Sequence, residues 1–143
     1  MIIDIDFFKR VNDDEHGHQI GDDVLASSAR AIKSVTRKGE TEARVGGEEF
    51  VLLLPGSDGE RAREAAERAR GAIAAASTRL PDGRVVRVTA SAGAASTAEL
   101  SAASARELYR AADEALYTAK AEGRDRTVVA RADDDDAPEY AGV

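Results

Sequence analysis

Two pairs of acids stand where short apolar runs begin or end. Ile2-Ile3-Asp4-Ile5-Asp6 closes an apolar run in carboxylates, and Val45-Gly46-Gly47-Glu48-Glu49-Phe50 leads into Val51-Leu52-Leu53-Leu54. Two glycines between such runs predict a hairpin turn, because Gly accepts the positive φ that tight hairpins need. A hairpin carrying two carboxylates, near a strand that also ends in carboxylates, is a candidate divalent-metal site. It suits phosphoryl or nucleotidyl transfer, where Mg²⁺ takes a few carboxylates and adds substrate phosphates. The plainer alternative is a polar hairpin tip.

The elements that must position these acids follow from periodicity. Met1–Ile5 reads as a buried strand, and Phe7 to about Asp14 as a short helix broken near Gly17. Val24, Leu25, Ser28, Ala29, Ile32 and Val35 form a helical stripe over 22–36, with Gly39 as its stop. Glu42–Val45 and Phe50–Leu54 are the expected hairpin arms. An Ala- and Arg-rich helix covers 58–76, and the alternation of Val86 and Val88 with Arg87 and Thr89 predicts a strand. A helix over 104–122 stops at Gly123, and Thr127-Val128-Val129 is a last short strand. Strands interleaved with helices predict an α/β (α+β) fold, a sheet covered mainly by helices.

At 143 residues, one domain with a real core is expected, with residues 1–131 as its body. Asp133-Asp134-Asp135-Asp136 opens a tail, 132–143, that reads as solvated and disordered. The net charge of −7 argues against broad nucleic-acid binding, though not against a nucleotide substrate. The absence of Cys agrees with a reducing cytoplasm. No run has membrane-spanning length and no signal peptide is visible, so a cytoplasmic location is expected.

The ordered set Asp4-Ile5-Asp6-Phe7-Phe8-Lys9, Asn12-Asp13, Gly17-His18-x-x-Gly21-Asp22, Gly46-Gly47-Glu48-Glu49-Phe50 and Ala119-Lys120-x-x-Gly123-Arg124 resembles the GGDEF family of diguanylate cyclases. The resemblance implies a five-stranded, mostly antiparallel central sheet wrapped by helices, akin to nucleotidyl-cyclase and polymerase palm domains. It implies condensation of two GTP into cyclic di-GMP, with Mg²⁺ or Mn²⁺ and a transient homodimer. Asp4, the Ile5 carbonyl, Glu48 and Glu49 would hold metal, with Glu48 and Glu49 catalytic. Asn12 and Asp22 fall on base-reading positions, where a carboxylate can accept from guanine N1–H and the 2-amino group. Asp22 is equally placed to cap a helix N-terminus. Phe7, Phe8, Lys9, His18, Gly46 and Gly47 belong to the implied substrate pocket. Lys120 and Arg124 would meet the triphosphate, or simply complement a helix C-terminus. Asp6 is expected to cap the following helix. Arg37 and Glu40 stand where relatives carry an Arg-x-x-Asp site for product inhibition.

This chain departs from the family pattern in several places. Three residues separate Asn12-Asp13 from Gly17-His18, where relatives usually have two. One extra residue turns a helix by roughly 100 degrees, so the register of Asn12 with Asp22 is at stake. The helical segment that usually precedes the first strand is not in the sequence, which puts Asp4 near a chain end where fraying is easiest. Alanines in Val88–Ala95, where relatives often place Val or Ile, predict voids unless neighbours compensate. The competing function is a GTP or cyclic di-GMP binding module without turnover.

Overall fold

The computed structural model describes residues 1–13, 18–101 and 104–132, apart from the His18 side chain. Strand β1 (Ile2–Ile5) is buried along its whole length because it is central. It pairs antiparallel with β3 (Glu49–Leu53) on one side and β6 (Ala90–Ala94) on the other. β2 (Thr41–Arg44) adds antiparallel outside β3, and β7 (Thr127–Val129) adds parallel outside β6. The order is therefore β2-β3-β1-β6-β7. β4 (Thr78–Arg79) and β5 (Val85–Val86) form a separate two-stranded ribbon. The expected mixed fold, with a mostly antiparallel sheet under helices, is the one observed.

Strand alternation sorts the helices between the two faces. Ile3, Ile5, Phe50, Leu52, Ala90 and Ala92 face the main core, which α2 (His18–Val35) fills with Ile20, Val24, Leu25 and Ile32. Ala66, Ala69 and Ile73 of α3 (Gly59–Ala75) complete that layer. On the opposite face Ile2 and Val51 meet Ala112 and Leu116 of α4 (Ala105–Ala121). Both long C-terminal helices begin on side-chain caps: Asp58 accepts from the Arg61 N–H, and Ser104 from the Glu107 N–H.

Three expectations require correction. The strand expected around Val86–Thr89 is displaced: Val86 ends β5, residues 87–89 lie in no strand, and the central strand is the alanine-rich Ala90–Ala94. Its alanines are compensated by neighbours: Ala90 and Ala92 pack in the main core and Ala94 against Ala62 of α3, while the opposite face is set by Gly93. A Cβ on Gly93 would strike the Ala112 carbonyl oxygen and the Leu116 amide nitrogen, so α4 rests on β6 backbone to backbone. The helix expected from Asp22 instead begins at His18, which places Asp22 inside α2 and removes its capping role. Between α1 (Phe8–Asn12) and α2 lie residues 14–17, where the extra residue falls, outside the described residues.

Gly93→Ala is expected to destabilise the fold by about 2–3 kcal/mol through overpacking against backbone that cannot rotate away. Gly71→Ala, on the exposed side of α3 with open space around it, should instead stabilise by about 0.5–1 kcal/mol. Urea midpoints of the two variants check both signs.

Candidate active site

The end of β1 is held by one buried carboxylate. Asp6 accepts from the Thr89 hydroxyl at 2.7 Å, the Ser91 hydroxyl at 2.6 Å and the Asp125 N–H at 3.0 Å. Its own N–H donates to the Thr89 carbonyl at 2.9 Å. Asp6 therefore does not cap α1. The cap position is Phe7, left-handed at φ 55 with no side-chain cap bond. Asp6 is a knot joining the β1–α1 turn, β6 and the turn after α4.

That last turn follows from its glycine. Gly123, at φ 122, lets the Arg124 N–H reach the Ala119 carbonyl at 3.0 Å while its own N–H meets the Lys120 carbonyl at 3.3 Å. This is a Schellman ending. Arg124 and Asp125 continue left-handed at φ 66 and φ 47. The buried Arg70 then grips the Asp125 carboxylate at 2.7 Å.

These turns enclose a cavity of about 450 Å³ with two chemically distinct linings. Asp4, Ile5 and Glu48 supply oxygen donors, and Lys9, Lys120 and Arg124 supply cations. Lys120 Nζ donates to Asp4 Oδ2 at 2.9 Å, across 116 residues of sequence. Burial pushes the Asp4 carboxyl above its usual range; Lys120 pulls it back and Asp6 pushes it further up. Glu48 is raised too, first by burial and then by the Asp4 charge. Glu48 thus feels the charge of Asp4. Among the described residues no three acidic or histidine side chains converge to cage a metal.

The remaining predicted residues divide. Glu49 is the Cα partner of Asp4, yet its carboxylate turns to the Tyr109 hydroxyl, which donates at 3.0 Å, and it does not line the cavity. Gly46 and Gly47 do lie in the hairpin turn, but neither adopts the expected positive φ. Their carbonyls instead fold around Arg44 Nε at 3.0 and 3.1 Å, leaving open space beside Gly47, while a Cβ on Gly46 would meet Glu49 Cβ in ordinary contact. Phe8 packs its ring into the core and also lines the cavity. Asn12 lies with its carboxamide oxygen in the space a Cβ on Gly21 would fill, one residue before the exposed Asp22. Asn12 and the α2 turn that carries Asp22 are therefore together despite the extra residue. His18 opens α2, while its side chain and Gly17 lie outside the described residues.

Arg37 and Glu40 are part of a strut. The Arg37 N–H donates to Glu40 Oε2 at 2.8 Å, and Arg68 of α3 grips both Glu40 oxygens at 3.1 Å. Arg10 lines the cavity and escaped the sequence reading, as did Tyr109, whereas Asp13, which also lines it, stands in the motif set beside Asn12. Arg10 follows Lys9 directly on α1, a proximity that the sequence does display. Tyr109 is an exposed aromatic on α4, and nothing in its spacing points to Glu49.

Residues 1–126 match the family model described as "Diguanylate cyclase, GGDEF domain". The chain belongs to the GGDEF family. It is 44% identical over 129 residues to diguanylate cyclase DgcP of Pseudomonas aeruginosa, covering 90% of this chain and 19% of that protein. The active GGEEF domain of a diguanylate cyclase from Vibrio cholerae superposes with a TM-score of 0.80 at 35% identity, covering 91% of this chain and 80% of that one. The GGDEF domain of DgcB from Caulobacter crescentus, solved in complex with c-di-GMP, gives 0.79 at 32% identity, covering 90% and 75%. The chain spans 19 to 25% of the length of the named diguanylate cyclases it matches. No helix among the described residues is long and apolar enough to cross a membrane.

Asp6→Ala orphans three donors, two of them beside buried strand, so a loss of at least about 3 kcal/mol is expected. Glu49→Gln keeps an oxygen to accept from the Tyr109 hydroxyl and loses only the charge on an exposed hydrogen bond, so it should cost under about 1 kcal/mol. Thermal unfolding of both variants checks the ranking.

Proposed function

We propose that this domain is a diguanylate cyclase, condensing two GTP into cyclic di-GMP. The observation that carries the reading is one cavity with acids at one end and cations at the other, in a chain of this family. In each half-reaction the 3′-oxygen of one GTP loses its proton and bonds to the α-phosphorus of the other. The bond from that phosphorus to the bridging oxygen breaks, and pyrophosphate leaves. Repeating the step in the other direction closes the ring.

Asp4, Glu48 and the Ile5 carbonyl are hard oxygen donors that fit Mg²⁺ or Mn²⁺, and too few for a closed protein cage. That suits a site completed by substrate phosphates and water. When bound, the cation supplies acidification of the 3′-hydroxyl and charge neutralisation at the α-phosphate. Glu48, already biased toward holding a proton, is the group to accept one from the 3′-hydroxyl. Lys9, Lys120 and Arg124 take the phosphates, and Asn12 with Asp22 reads guanine. Glu49 acts through its hydrogen bond to Tyr109 as a support of the hairpin. Residues 1–131 form the functional unit, with 132–143 as an appended tail. Glu40 keeps its place as the strut to α3, and Arg37, exposed beside it, is free to contact product.

Each domain binds one GTP in this reading, so two copies must face one another for turnover. A second reading, nucleotide binding without turnover, is favoured by the Lys120–Asp4 ion pair, which occupies a carboxylate that the metal needs. Incubation with GTP and Mg²⁺ or Mn²⁺, followed by chromatography for cyclic di-GMP, separates the two.

Glu48→Gln is expected to lower the initial rate by about 100-fold or more while leaving the unfolding midpoint nearly unchanged. A rate near that of the parent would remove Glu48 from proton transfer. Specific activity should rise with protein concentration before levelling. A flat dilution series in a protein shown to be monomeric by light scattering would rule out the two-copy mechanism.

A further inference from the structure

We propose that the Phe7 ring is a positioning residue that holds Arg10 and Arg124 as a two-guanidinium clamp for the terminal phosphates of the nucleotide, which makes Arg10 a further anion-contacting residue. The inference rests on the GTP reading above.

Phe7 and Phe8 are neighbours with opposite fates. The Phe8 ring is buried in the core, and the left-handed φ of Phe7 turns its own ring outward to 47% exposure at the cavity rim. A bulky residue in that region is held there at a cost of about 1–2 kcal/mol. Two cations use the ring thus presented. The Arg10 guanidinium carbon lies 4.3 Å from the ring centroid and that of Arg124 4.7 Å.

The two arginines arrive from different elements, each with a fixed backbone. The Arg10 N–H donates to the Phe7 carbonyl at 2.9 Å, and the Arg124 N–H is locked in the Schellman turn. Asp6 ties the two turns together through the Asp125 N–H. Among the described residues neither guanidinium forms an ion pair. Stacking occupies the face of a guanidinium and leaves its in-plane N–H donors free. Two such groups on one ring, beside Lys9 and Lys120 in the same cavity, present edge donors suited to phosphate oxygens.

The test is calorimetric titration of the full chain with three probes. These are α,β-methylene GTP with Mg²⁺, whose pyrophosphate cannot leave, GMP, and inorganic tripolyphosphate. Arg10→Gln should weaken the triphosphate analogue and tripolyphosphate about tenfold and leave GMP within about twofold. Phe7→Leu should weaken the same two probes by about three- to fivefold, and Phe7→Tyr should restore them. Phe7→Gly keeps the left-handed turn without strain, so a triphosphate loss at undiminished stability assigns the effect to the ring. In the Phe7→Leu background, Arg10→Gln should cost less than it does in the parent.

Unchanged triphosphate-to-GMP ratios in Arg10→Gln would overturn the clamp and leave the GTP reading standing. Equal weakening of all probes in Phe7→Leu and Phe7→Gly would reduce Phe7 to a structural role and also overturn it. If the parent binds tripolyphosphate through Phe7 and Arg10 but shows no preference for the GTP analogue, the guanine reading falls and the clamp stands. A parent that binds none of the probes overturns both.

Discussion

The close approach of α4 to β6 is the constraint on which the site depends. At Gly93 the strand meets the Ala112 carbonyl and the Leu116 amide directly, with no side chain between them. A helix held at that distance has little freedom to slide or roll, because interiors transmit small displacements rather than absorbing them. Everything α4 contributes inherits the fixed position. Lys120 reaches Asp4 on the central strand, Tyr109 reaches Glu49 on the hairpin, and the Schellman turn delivers Arg124 to the cavity rim. Gly93, in a strand weak by β-propensity, is what permits this.

The same strand explains where the sequence could and could not be read. The helices α3 and α4 were legible to within a residue, because Asp58, Ser104 and Gly123 are local stop and start signals beside a periodic apolar face. Thr127–Val129 was legible as a short β-branched run. β6 was not, since Ala-Ser-Ala-Gly-Ala carries no strand signal and its pairing partners lie far off in sequence. β4 was missed for want of length: its two residues pair only because β5 is adjacent. At the site, Asp4, Glu48, Lys9, Lys120 and Arg124 could be named from motif spacing and do line one cavity. The network around Asp6 could not, because it depends on hydroxyls from residues 89 and 91 and a backbone amide at 125.

Backbone strain is concentrated at this rim. Phe7, Arg124 and Asp125 are the left-handed residues other than glycine among those described, and they face one another across the β1–α1 and α4–β7 turns. Such residues cost roughly 1–3 kcal/mol each and persist only where surroundings over-determine them. Here the determinants are identifiable. Asp6 takes the Asp125 N–H, Arg70 takes its carboxylate, and the ring of Phe7 stacks with Arg124. Stability offered by a buried, fully hydrogen-bonded carboxylate offsets strain in the segments that line the cavity.

The acidic end of the cavity is electrostatically incomplete without a cation. A carboxylate as buried as Asp4 is costly unless paired, and removing its partner leaves an uncompensated charge. Lys120 is that partner in the free domain, and it is the more exposed of the pair. Its ammonium therefore sits at the junction between the acids and the basic lining. On the GTP reading, Asp4 would be paired instead by a divalent cation held with the nucleotide. Lys120, the more exposed partner, would then be available to the phosphates. Charge balance would be kept throughout, with one side chain changing partner on a helix packed backbone to backbone against the sheet. A free domain with an empty acidic end would instead raise the carboxyl of Asp4 still further and favour its protonated form, the wrong state for holding metal. On that reading the ion pair would keep Asp4 in its charged form while competing with the cation for it.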